Sequence, residues 1–88
     1  MCRNIRTLYN FEPSATHEEI HDASLQYVRK ISGYNTPSQA NAEAFERAVE
    51  AVAAASERLF GELVTTAPPK NRQVEAAKKR LRWEQRVA

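Results

Sequence analysis

Apolar and polar positions recur with helical spacing over most of the chain. After Thr16, the apolar residues Ile20, Ala23, Tyr27 and Ile31 return at three- and four-residue steps. Leu25 and Val28 widen that stripe, so the helix is expected to be contacted on more than one side. Thr16-His17-Glu18-Glu19 has capping-box spacing, in which the Thr16 hydroxyl accepts from the Glu19 amide and the Glu19 carboxylate reaches back. Glu18 and Asp22 add negative charge at the positive end of the helix dipole. Arg29 and Lys30 occupy the last turn and Gly33 supplies a left-handed stop, which predicts a helix over 17–32.

A second start follows in Thr36-Pro37-Ser38-Gln39, with a cap residue, proline at the first helical position and Gln three residues past the cap. No breaker intervenes before Gly61, and Pro68-Pro69 ends any continuation. Phe45, Val49, Val52, Leu59 and Leu63 form its stripe, with Ala48 and Ala55 alongside. A helix over 37–64 is roughly 40 Å long at 1.5 Å per residue, more than the first helix can cover.

A third helix is expected from the N-cap Asn71 toward Arg86, with a sparse stripe of Val74, Ala77 and Leu81. Its Trp83 falls about 180° from Val74 at 100° per residue. Residues 1–12 read two ways: Ile5, Thr7, Tyr9 and Phe11 alternate as in a strand, whereas Ile5, Leu8 and Tyr9 fit one helical turn. With no partner strand visible, a short helix or an extended arm across the helical pair is expected.

These elements predict an all-α protein. Its centre is an antiparallel helix hairpin, overlaid by residues 3–11, with a basic C-terminal helix loosely attached. The expected division is a helical domain over 1–66 and a basic tail over 67–88. Ile20, Tyr27, Ile31, Phe45, Val49, Val52 and Leu59 are expected in one seam. Leu59, Phe60, Leu63 and Val64 have no evident intrachain cover. Either the tail docks there or the chain pairs with a protein partner or a second copy, as a homodimer.

Composition sharpens this picture. At 88 residues the chain has room for one small domain, and 42% of it is hydrophobic. Fourteen of those hydrophobic residues are alanine, which leaves 23 larger apolar side chains and a thin core. Two glycines and four prolines argue against a turn-rich β architecture. Large catalytic scaffolds are excluded by size.

The net charge of +2 hides an asymmetry. Residues 1–66 hold six Lys/Arg against nine Asp/Glu, and residues 67–88 hold seven against two. An acidic body thus carries a basic tail. The single cysteine excludes an internal disulfide and fits a reducing compartment. No apolar run approaches the roughly 20 residues of a membrane span. No apolar segment follows Arg3 and Arg6 in the manner of a signal peptide. A cytoplasmic protein is expected.

Three features carry candidate chemistry. His17-Glu18-Glu19-Ile20-His21 matches H-E-x-x-H, a spacing that sets two imidazoles on one helix face for zinc. It sits in a solvated first turn, and no third histidine exists, so neither a metal nor a cofactor is expected. Removal of Met1 would leave Cys2 with amine and thiol side by side, able to chelate a metal or act as a nucleophile. Arg3 and Arg6 favour its thiolate, and Asn4 lies between them. Lys78-Lys79-Arg80-Leu81-Arg82-Trp83 clusters cations around one aromatic, a pattern able to meet phosphates and stack a base. Gly33-Tyr34-Asn35-Thr36-Pro37 reads as a hairpin connection. No catalytic residue set is expected. The leading reading is a non-enzymatic interaction module, with a metal or thiol role and nucleic-acid binding as alternatives.

Several stretches resemble a small bacterial family. Met1-Cys2-Arg3-Asn4-Ile5-Arg6-Thr7-Leu8, Asn10-Phe11-Glu12-Pro13, Gln26-Tyr27-Val28-Arg29-Lys30, Ser32-Gly33 and Leu63-Val64-Thr65-Thr66-Ala67-Pro68-Pro69 are similar to domain-of-unknown-function family 2277. The likeness implies a compact helical protein and no assigned activity; His17 and His21 are not in its pattern. More loosely, Leu8-Tyr9, Ala15-Thr16, Glu18-Glu19-Ile20, Ala23, Phe45 and Ala48 resemble in order a J-domain co-chaperone. That family stimulates its chaperone partner through His-Pro-Asp. Here the loop reads Gly33-Tyr34-Asn35-Thr36-Pro37-Ser38, so the likeness implies the helix hairpin alone.

Overall fold

The computed structural model describes residues 4–87. Helical spacing from Thr16 yields α1 over His17–Ser32. Both halves of its capping box form: the Glu19 amide donates to Thr16 Oγ1 at 3.1 Å, and the Thr16 amide donates to Glu19 Oε1 at 2.9 Å. Gly33, at φ 80°, ends the helix by donating its amide to the Arg29 carbonyl. That left-handed backbone is costly for any residue with a Cβ.

The second helix starts later than the Thr36-Pro37 signal predicts. A single 3₁₀ turn over Gln39–Asn41 comes first, and α2 runs over Ala42–Glu62. Ser38 takes the extended conformation, its carbonyl accepts from the Asn41 amide, and its hydroxyl accepts from Asn41 Nδ2 at 2.9 Å. Such local side-chain bonding by Ser and Asn competes with a regular helix start. At the far end Leu63 is extended, with φ −68° and ψ 140°, and a β-branched run follows.

The chain divides into two compact units. The first joins residues 4–7 to Thr16–Val64 and contains the hairpin of α1 and α2. Its buried side chains are Ile20, Ser24 and Val28 on α1 and Val49 and Ala53 on α2, each row stepping by four residues along its helix. The predicted seam is partly replaced. Tyr27, Ile31 and Leu59 are exposed, and Phe45 and Val52 are half-buried. Small residues at 24 and 53 are buried in their stead, a choice that lets two helices approach closely. The buried Ser24 hydroxyl donates to the Ile20 carbonyl at 2.8 Å, so burial leaves no polar atom unpaired there. Residues 4–6 lie along α1: the Asn4 amide donates to Gln26 Oε1 at 2.7 Å, and Arg6 pairs with Glu19 at 3.1 Å.

The second unit combines Leu8–Ala15 with residues 65–87. Of the two expectations for the N-terminal segment, short helix or extended arm, no helix forms over residues 4–12, and the strand partner not visible in the sequence does exist. Phe11–Glu12 forms β1 and pairs in parallel with β2 over Lys70–Asn71, in the register Phe11 to Lys70 and Glu12 to Asn71. Two residues per strand are too few to leave a period in the sequence. The Lys70 ammonium lies 5.6 Å from the centroid of the Phe11 ring, a cation–π contact that ties the pair across the ladder. Leu8 is buried. The final helix, α3, spans Arg72–Val87 and is capped as expected by Asn71, whose Oδ1 accepts from the Val74 amide at 3.0 Å. The fold class is all-α with a minimal parallel ladder. No helix among the described residues is long and apolar enough to cross a membrane.

Candidate functional site

His17 opens α1, and its Nδ1 lies 2.5 Å from Oε1 of Glu57 on α2. His21, one turn on, has Nδ1 at 4.0 Å from Asp22 Oδ1. Glu18 is exposed, and Glu19 is held by the capping box and by Arg6. The charged groups of the H-E-x-x-H stretch therefore begin the helix and tie it to neighbouring chain. No cluster of three metal-binding side chains forms among the described residues.

Cys2 and Arg3 lie outside the described residues. The other two members of that candidate set, Asn4 and Arg6, are the clips that fasten the N-terminal arm to α1. The connection between the helices is equally well tied. Arg29 Nε donates to the Asn35 carbonyl at 2.9 Å, and the Tyr34 amide donates to Ser32 Oγ at 3.2 Å.

Two surfaces remain. At the end of α2, Leu59 and Leu63 are a turn apart on one face and are 50% and 43% exposed, while Val64 is 93% exposed. Phe60 beside them is half-buried. The second surface is α3, which is solvent-exposed at almost every position, Trp83 at 60%. Lys78 pairs with Glu75 at 3.4 Å, and Arg72 Nε donates to the Pro13 carbonyl at 2.6 Å. Among the described residues no carboxylate stands within ion-pair distance of Lys79, Arg80, Arg82 or Arg86.

The role of one residue is not evident from the sequence pattern. Asn10 holds a left-handed φ of 65°. Its Nδ2 is shared between the carbonyls of Ala67 and Pro68, each at 3.3 Å, and its own carbonyl accepts from the Lys70 amide at 2.8 Å. Asn is the side chain that tolerates this backbone best after glycine, and that preference is the single signal the sequence offers.

The hairpin of α1 and α2, with α3 and the short β1–β2 ladder, makes a small, mainly helical protein. The chain belongs to the family of uncharacterized conserved proteins called DUF2277, whose pattern matches residues 1–78. No curated protein and no solved structure matches it. The stretches carrying the family resemblance find one another in space: Asn4 meets Gln26, and Asn10 meets Ala67 and Pro68. They act as fasteners of the fold.

Proposed function

We propose that this protein is a small cytoplasmic interaction module, without chemistry of its own, that acts by pairing with a second copy through the end of α2. The observation that carries this reading is the open apolar cluster of Leu59, Leu63 and Val64. Two leucines a helical turn apart, followed by a nearly bare valine, lose free energy to water at about 25 cal/mol per Å² of apolar surface. A two-fold pairing covers the same patch on both copies.

Sedimentation equilibrium over a wide concentration range tests it. The wild-type chain is expected to shift toward dimer mass as concentration rises. Leu59→Glu and Val64→Glu together are expected to hold it at monomer mass with unchanged helix content. A wild-type chain that stays monomeric throughout overturns self-pairing, as does a dimer that survives both substitutions.

A further inference from the structure

The last two turns of α3 present a surface that the hairpin and the family pattern leave unexplained. The pattern ends at residue 78, and residues 79–87 then bring four cations, one carboxylate and the only tryptophan. Every one of these residues up to Arg86 is exposed. At about 100° per residue, Lys79, Arg80 and Arg86 stand within about 60° of Trp83, as its neighbours at three- and four-residue steps. Val74 and Leu81 fall on the opposite side, about 160–180° away.

That arrangement separates the polyanions the helix can meet. An amphipathic helix lying in a membrane interface places Trp with its Leu and Val residues and its cations across from them. Here the indole sits among the cations, while the aliphatic side holds only Val74, Ala77 and Leu81 and is broken by Lys78 and Gln85. An indole face flanked by cations suits a ligand that alternates flat π-surfaces with phosphates, which is a single strand of nucleic acid. The cations nearer the start of the unit are engaged within the chain: Lys70 over Phe11, Arg72 at Pro13 and Lys78 with Glu75. Lys79, Arg80 and Arg86 have no carboxylate of their own among the described residues to compete with phosphate.

We propose that α3 binds single-stranded nucleic acid, with Trp83 stacked on a base and Lys79, Arg80 and Arg86 set against the phosphates on either side. Stacking supplies affinity without reading sequence, so the site is expected to accept most bases. The proposal uses none of the residues at the end of α2, so the two proposals stand or fall independently.

Because Trp83 is the only tryptophan, its fluorescence reports on the site in the full chain. Titration with short oligothymidylate and oligouridylate at low salt is expected to quench it to saturation. The affinity is expected to fall with salt at a log–log slope of about −2, from three phosphate contacts at about 0.7 each. Replacing Lys79, Arg80 and Arg86 together by Ala should flatten that slope and weaken binding at least about 10-fold. Trp83→Leu should weaken binding about 5- to 100-fold with the salt slope unchanged, as followed by anisotropy of a labelled strand. These positions are exposed, so circular dichroism should show the hairpin intact in each variant. Any of four results overturns the proposal: no quenching at low salt, undiminished binding by Trp83→Leu, equal affinity for a duplex of the same length, or quenching by phosphatidylserine vesicles but not by oligonucleotides.

Discussion

His17 and Glu57 join the first residue of α1 to the last two turns of α2, with Nδ1 and Oε1 2.5 Å apart. The contact lies where an antiparallel hairpin brings the start of α1 beside the end of α2. It also turns the first histidine of the H-E-x-x-H stretch toward a carboxylate on another helix. Both side chains are well exposed, at 76% and 40%, so solvent screens the pair. A double-mutant cycle with His17→Ala and Glu57→Ala should therefore give a coupling of about 0.2–1 kcal/mol in urea unfolding. The coupling should shrink further at high salt. A value several times larger would mean that the pair holds the hairpin together rather than trimming it.

Glu19 meets, among its partners, the Thr16 amide at the helix start and the Arg6 guanidinium of the arm. The two roles separate by substitution. Glu19→Gln keeps an oxygen for the capping box and gives up the charge that Arg6 meets, so it should cost a few tenths of a kcal/mol. Thr16→Ala removes the other half of the box and should cost about 1 kcal/mol. In a domain of this size that lowers the melting temperature by roughly 4–8 °C, readable by circular dichroism. Equal losses for both variants would show that the charge of Glu19 contributes as much as the Thr16 half of the box.

The parts of this fold that were legible in the sequence are those held by local bonds. The limits of α1 follow from Thr16, Glu19 and Gly33, all within a few residues of the turns they govern. Asn71 announces α3 in the same way. The bond from Asn10 to Ala67 spans 57 positions and ends on a backbone carbonyl, whose identity no side chain encodes. The β1–β2 pair is hidden for the same reason, and its β2 residues Lys70 and Asn71 carry no strand preference. In the candidate sites, the charge of α3 and the large apolar residues at the end of α2 were visible as composition and periodicity. What periodicity could not supply was the use of each polar group, as when Arg6 and His17 turned to neighbouring carboxylates.

Packing of the hairpin makes a further prediction, because ranking residues by size misplaces its core. Ala53 is only 4% exposed, whereas Leu59 is half exposed. Ala53→Leu forces three extra carbons into a closely packed row and should destabilise by about 1–3 kcal/mol. Leu59→Ala leaves no cavity and should stay within about 0.5 kcal/mol for the monomer. Chemical denaturation of both at low protein concentration checks the order. A larger loss at Leu59 than at Ala53 would place the core where the stripe of large residues had put it.

The two glycines should respond to the same substitution with opposite sign. Gly61 lies inside α2, and a Cβ there meets nothing within 4 Å. Glycine in a helix interior costs about 0.5–1 kcal/mol relative to alanine, and Gly61 stands in the last turn, so Gly61→Ala should stabilise by up to about 0.5 kcal/mol. Gly33 also has open space around its Cβ position, but its φ of 80° is one that side-chain-bearing residues avoid. Gly33→Ala should therefore destabilise by roughly 1–2 kcal/mol through backbone strain alone. Asn tolerates the left-handed region better, so Gly33→Asn should recover part of the loss. Thermal unfolding of the three variants side by side decides the matter, since crowding cannot explain a loss at Gly33. If Gly33→Ala proves neutral, α1 does not need its left-handed stop, and the tie from Arg29 to Asn35 is enough to turn the chain toward α2.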